Sequence, residues 1–269
     1  MSGESTWESF FGINDYAEKS VFQPENLIET AIRQKGLRRE KVPNVCILDP
    51  DGDIVRYLVK RGEAKKSKNW PCYHTDMYLF SRNGIDFGII GCAVGASFAV
   101  LLAEELFALE CRLLISITSA GLIDTSIETP CFMLIEKSVR GEGTSLYYIH
   151  KSEPAELSTE LKARLDKLIQ DKRLLSGTTW TTDAPFRETR SKINYLKNLG
   201  VVAVEMESSA LYSFAKSKKK DVICFAHITN QMGIGDNDFD KGKENSSEES
   251  LKLISDAAKL VVKKTAFSP

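Results

Sequence analysis

Short apolar runs alternate along this chain with stretches of helical period, and that alternation predicts its elements. Val45-Cys46-Ile47-Leu48 is a continuous apolar run of strand length. Leu113 to Thr118, Cys131 to Val139, Thr178 to Thr182, Val201 to Val204 and Val222 to Thr229 carry comparable strand signals. Leu27, Ile28, Ala31 and Ile32 share one helix face after Pro24 and before a stop at Gly36. Ile54 to Val59, Ser97 to Leu109, Leu161 to Ile169 and Ser208 to Ala215 read as further helices, as does a stretch that ends at Leu199 before Gly200. A last helix carries Leu251, Ile254, Ala258, Leu260 and Val261. Met77 to Ser81 and Asp86 to Gly91 flank Asn83-Gly84, the turn pair of a two-residue hairpin.

Strands alternating with helices predict an α/β fold: a single domain with a mixed, largely parallel twisted central sheet flanked by helices. Residues 1–44 are expected to form an N-terminal extension and helix packing on the body, and residues 45–269 the α/β domain. Gln231 to Ser247 is polar and too long for a mere connection, which predicts a lid.

Composition then works mainly by exclusion. A net charge of −1 over 269 residues gives no basic surplus for nucleic acid or an acidic membrane. No apolar run approaches the roughly 20 residues of a bilayer span, and the N-terminus lacks a signal-peptide pattern. The six cysteines (Cys46, Cys72, Cys92, Cys111, Cys131 and Cys224) have no C-x-x-C spacing and read as buried, reduced thiols of a cytoplasmic protein. His74, His150 and His227 share no metal-ligand spacing and no spacing with a nucleophile, so neither a metal nor a catalytic triad is expected. Lys65, Lys66 and Lys68 read as a solvated basic loop.

In an α/β fold the chemistry belongs at the C-terminal ends of the strands. Those ends supply Gly52 and Arg56, Gly91, Ser119, Thr182 and Asp183, Glu205 and Glu207, and Thr229 with Asn230. Glycine in the turn Asp49-Pro50-Asp51-Gly52-Asp53 lets backbone N–H groups converge on an anion. Gly91-Cys92-Ala93-Val94-Gly95 superficially matches a dinucleotide fingerprint, but the third glycine and the downstream acid are missing. Glu205-Met206-Glu207 places two carboxylates where a buried strand gives way to the electropositive start of a helix.

Glu205-Met206-Glu207-Ser208, Ser119-Ala120-Gly121 and the Gly52-x-x-x-Arg56 turn, in this arrangement, resemble the nucleoside phosphorylase superfamily, which includes uridine phosphorylases and hexameric purine nucleoside phosphorylases. The resemblance runs from about Val45 to the C-terminus. It implies that Glu207 binds the ribose hydroxyls and that Met206 packs under the sugar, although Met206 reads equally as plain core. Gly52, Arg56 and Ser119 would hold phosphate. Asn230, where purine enzymes carry an acid, points toward the uridine-type members. Arg190 or Arg187, in a segment that includes Phe186, would hold the base. The family's phosphate-clamping Arg is replaced by Ser116, and uridine phosphorylases carry Arg where this chain has Gln231. The activity implied is cleavage of an N-glycosidic bond by phosphate, with Glu207, Arg56 and Arg190 as the catalytic set. Phosphate is a co-substrate, no cofactor is needed, and the assembly implied is a homodimer or a hexamer of dimers. A nucleosidase of the same fold, or a catalytically weak nucleoside-binding protein, is the alternative.

Overall fold

The computed structural model describes residues 15–170, 174–231 and 241–262, with Asn230 and Gln231 placed through their backbone alone. Helix α1 (Pro24–Lys35) begins on its proline, ends at Gly36 in the left-handed region, and buries Ile28 and Ala31. The apolar run at Val45 forms β1 (Val45–Asp49), buried at every position. A turn leads into α2 (Asp53–Lys60), which buries Ile54, Val55, Tyr57 and Leu58 and leaves Arg56 outside. Lys65 and Lys66, read from sequence as loop, form a short edge strand β2 (Lys65–Lys66). It pairs with β3 (Met77–Arg82), which turns at Asn83-Gly84 into β4 (Ile85–Gly91). Both turn residues have positive φ, 54° and 75°, as the predicted hairpin requires.

The apolar helix α3 (Ala96–Ala108) leads into β5 (Leu113–Leu122) and β6 (Cys131–Gly141). Then come β7 (Ala155–Glu156), α4 (Thr159–Ile169) and β8 (Leu174–Thr182). The chain continues through α5 (Arg190–Asn198), β9 (Val201–Glu205) and α6 (Ser208–Lys218). It closes with β10 (Asp221–Gln231) and α7 (Ser247–Val262).

The sheet corrects the expected architecture. Its order is β10-β6-β8-β9-β5-β1-β4-β3-β2, and β10 pairs with β5 as well, so β5, β9, β8, β6 and β10 close into a five-stranded ring. The cause lies in strand length. Ser119-Ala120-Gly121, read as a strand end, is interior to β5, which continues to Leu122. That extension pairs antiparallel with β9, Gly121 opposite Val204 and Leu122 opposite Ala203. On the far side β10 pairs parallel with β5 and antiparallel with β6. Long twisted strands that find partners on both sides close rather than splay. The sheet is mixed, with its longest ladders, β5-β10 and β6-β8, parallel as expected; β10-β6, β5-β9, β6-β7 and the β2-β3-β4 arm supply the antiparallel pairs.

The register of β1 against β4 and β5 gathers the site. Asp49 lies opposite Gly91, and Leu48 lies opposite Ser116, so the turn after β1 stands beside the end of β4 and the middle of β5, where Ser119 lies. Helix α6 buries every residue from Ser208 to Phe214. Tyr212 fixes it to the ring by donating to the Ile135 carbonyl at 2.5 Å and accepting from Cys224 N at 3.1 Å.

Candidate active site

Strand β9 ends on Glu205, and its buried carboxylate is consumed by the local backbone. Oε2 accepts from the amides of Glu207 and Ser208 at 2.8 and 2.7 Å. Thr181 Oγ1, Ser208 Oγ and Thr179 Oγ1 converge on Oε1 at 2.5, 2.6 and 3.2 Å. A carboxylate saturated this way holds the strand-to-helix junction rigid and has little capacity left for a ligand.

Glu207 differs. It is buried, but each oxygen has one described partner: Gly95 N–H at 2.7 Å on Oε1 and Thr118 Oγ1 at 2.9 Å on Oε2. An ionised carboxylate offers about four acceptor positions, so these two bonds leave it capacity for a further donor. Burial, and then the charge of neighbouring Glu205, push the Glu207 carboxyl up to about 8. Gly95 delivers its N–H from φ 98°, a conformation that costs a side-chain-bearing residue heavily. Beside them opens a cleft of about 670 Å³, lined by Val94, Gly95, Gly143, Tyr147, Asp183 and Met206 among others. Met206 is half-buried and lines this cleft.

The turn after β1 is built around acids. Gly52, at φ 73°, sends its N–H inward to the Asp49 carbonyl at 2.9 Å and to Asp49 Oδ1 at 3.1 Å. Burial raises Asp49 to about 7, against the lowering effect of its bond from Val55 N. Arg56 is exposed and donates from Nη2 to the Asp51 carbonyl at 2.7 Å and to Asp53 Oδ1 at 2.6 Å. Ser119, half-buried, donates both its N–H (3.2 Å) and its hydroxyl to Asp51 Oδ2. Lys241 stands 2.7 Å from Asp53 and 3.3 Å from Asp51. Burial works against the Lys241 charge, yet the Asp53 and Asp51 carboxylates hold its ammonium above the ordinary lysine value. Gly52, Arg56 and Ser119 are therefore brought together, with three aspartates among them.

The predicted base-binding segment lies further out. Phe186 is fully exposed in a single helical turn, Pro185–Arg187, and Arg187 and Arg190 are exposed as well. Asp183, just before them, accepts from Gly143 N at 3.1 Å at the cleft wall. The backbone of Asn230 pairs with Gly121, while its side chain lies outside the described residues. Of the expected lid, residues 232–240 also lie outside them; its remainder carries Lys241 and the turn Lys243–Ser246. Ser116, where the resemblance places an arginine, is buried, and its hydroxyl has no partner among the described residues. His227 is core: it stacks on Phe132 at 4.7 Å, and burial followed by the Lys241 charge holds it down at about 4. The cysteines are not uniformly buried, because Cys92 is exposed in the loop before α3 and Cys131 is half-buried at the start of β6. Among the described residues, no three His, Cys, Asp or Glu side chains group as metal ligands would.

With this geometry in place, comparison with known proteins decides the family. The profile described as Phosphorylase superfamily matches residues 44–264. The chain belongs to this superfamily. Among curated proteins, a uridine phosphorylase of Thermococcus kodakarensis is 24% identical over 213 residues, covering 68% of this chain and 77% of the relative. A DeoD-type purine nucleoside phosphorylase of Brevibacillus brevis is 28% identical over 82 residues, which span only 35% of its length. Among solved structures, an AMP nucleosidase of Bacteroides thetaiotaomicron superposes with a TM-score of 0.72 at 19% identity, covering 91% of this chain and all of that one. A uridine phosphorylase of Vibrio fischeri superposes with a TM-score of 0.67 at 18% identity, covering 86% and 99%. Within the superfamily fold, sequence reading passed over Thr118, Gly95, Asp51 and Lys241. Asp51 carried a signal in the three acids of Asp49-Pro50-Asp51-Gly52-Asp53, whereas Lys241 is brought in by tertiary contact alone.

Proposed function

We propose that this chain cleaves the N-glycosidic bond of a nucleoside, of uridine type, using phosphate to give the free base and a pentose 1-phosphate. One observation carries the reading: a buried carboxylate, Glu207, held by Gly95 N–H and Thr118 Oγ1 beside the cleft, with acceptor capacity to spare. Two vicinal sugar hydroxyls are the donors that such a group suits. The name of the Thermococcus kodakarensis relative supports the uridine assignment. In this reading Glu207, once ionised, fixes the sugar and faces the positive charge that develops on it as the bond breaks. Phosphate held near Gly52, Arg56 and Ser119 attacks from the face opposite the base. Arg187 or Arg190, aided by Phe186 and Asn230, holds the departing base. No covalent intermediate is needed, because positioning and electrostatic stabilisation lower the barrier.

A second reading is hydrolysis, and a specific observation favours it: the Asp51 carboxylate already sits on both Ser119 donors. Base release from uridine, thymidine, inosine and methylthioadenosine, measured with and without phosphate, separates the two. Release that depends on phosphate and yields the 1-phosphate supports the proposal. Equal release without phosphate means a nucleosidase, and binding without release means neither.

A further inference from the structure

The Gly52 amide, both Ser119 donors and one arm of the Arg56 guanidinium, all assigned to phosphate, already have partners within the chain. Gly52 N–H is taken by Asp49. Arg56 Nη2 spans the Asp51 carbonyl and the Asp53 carboxylate. The Ser119 amide and hydroxyl both end on Asp51 Oδ2, with Lys241 Nζ 3.3 Å from the same oxygen. A carboxylate oxygen and a phosphate oxygen seek the same company of N–H, O–H and ammonium groups. Asp51 thus makes the contacts that a bound phosphate oxygen would make.

We propose that Asp51 is a specificity-determining residue of the anion site: an internal occupant that phosphate must displace from Ser119 and Lys241. It thereby sets how well phosphate competes with water as nucleophile. The inference rests on the assignment of this turn to phosphate. Of the two acids facing Lys241, Asp51 is the one free to leave. Its side chain is 33% exposed, against 12% for Asp53, which is tied by Arg56, Lys241 and Asn245. Charge acts in the same direction. Arg56 and Lys241 face Asp49, Asp51 and Asp53, so an incoming anion meets a turn whose cations are already offset. With Asp51 turned out to solvent, Lys241 and the Ser119 donors become available together. The displacement breaks no covalent bond and moves no proton.

Inorganic phosphate titrated calorimetrically into the full chain tests this with wild type, Asp51→Ala and Asp51→Asn. Removing a competing charge-assisted acceptor should tighten phosphate binding about ten-fold or more in Asp51→Ala. Asp51→Asn, which keeps an acceptor for Ser119 but loses the charge, should fall between. In uridine cleavage the phosphate KM should drop in parallel while the uridine KM stays within about two-fold, a split that a purely structural role would not produce. Unchanged or weaker phosphate binding in the variants overturns the proposal, as does binding to none of the three forms. If Asp51→Ala does not fold, Asp51→Asn decides by the same criterion. Calorimetry needs no turnover, so the two readings fail separately. Tighter phosphate without cleavage sinks the proposed reaction and leaves the role of Asp51, and cleavage with unaltered phosphate binding does the reverse.

Discussion

Two glutamates, separated by Met206, have been given opposite tasks by their hydrogen bonds. Glu205 spends its oxygens on Thr181, Thr179, Ser208 and the amide of residue 207, whereas Glu207 keeps acceptor positions open. Glu207→Gln is the incisive substitution because it is isosteric. The amide oxygen can still accept from Gly95 N–H, and the NH₂ can donate to Thr118 Oγ1, so the fold should survive. At a pH above about 8, where the wild-type carboxyl is ionised, the variant lacks the negative charge that the proposed reaction uses, and kcat/KM should fall by about a hundred-fold or more, the scale of one or two charged hydrogen bonds (~3 kcal/mol). Steady-state kinetics check this, and near-normal turnover would remove Glu207 from the sugar site. The same variant tests the raised carboxyl. A carboxyl at about 8 in the folded state, against an ordinary value near 4.5 in the unfolded chain, is protonated in the native state alone across that window. Its contribution is fully present below 4.5, declines by up to about 1.4 kcal/mol per pH unit, and is gone above 8. Melting temperature should therefore fall between pH 5 and 8 in the wild type more steeply than in Glu207→Gln, leaving the variant the more stable at pH 8. Parallel curves would show that Glu207 ionises normally.

Local elements were legible where local chemistry decides them. Pro24 and Gly36 mark α1, the Asn83-Gly84 pair sets the hairpin, and the continuous apolar run at Val45 gives β1, because each signal acts within a few residues. The strand-to-helix junction that carries two carboxylates was legible for the same reason, since Glu205, Met206 and Glu207 are consecutive. The true length of β5 was not. Ser119, Ala120 and Gly121 are poor strand formers, and they are held extended by β10 and β9, which arrive from far along the chain. Nor could the sequence show that one hydroxyl of α6 reaches two strands of the ring. Tyr212 bridges the helix to β6 and β10 from a fully buried position. Tyr212→Phe preserves the packing but leaves the Ile135 carbonyl and the Cys224 amide each short of a partner. The expected cost is about 1–3 kcal/mol, read as a lower urea midpoint with an unchanged m-value. A loss below ~0.5 kcal/mol would mean that water replaces the hydroxyl at both ends.

Ring closure governs the molecule as a whole, and nothing in the sequence pointed to it. Each strand was recognised from its own residues, but closure depends on which distant strands pair, and apolar patterning does not encode that. A ring has no edges within it; among the described residues the strands with one partner are β7, two residues long beside β6, and β2, at the end of the other arm of the sheet. That edge is two residues long, and both are exposed lysines: Lys65 and Lys66 pair with Leu79 and Tyr78 on one side. Short, cationic edges resist strand addition by another chain, since docking would desolvate like charges against each other. The basic residues that sequence reading took for a solvated loop thus acquire a role from position rather than from a ligand. Replacing both with valine removes the guard while touching little of the fold, because the described ion pair that is lost, Lys66 with Asp76, is exposed on both sides and contributes little. The double variant should melt within a few degrees of wild type yet scatter light during refolding at concentrations where wild type stays clear. If it refolds as cleanly as wild type, the protection of that edge lies in its brevity, and the two lysines are dispensable.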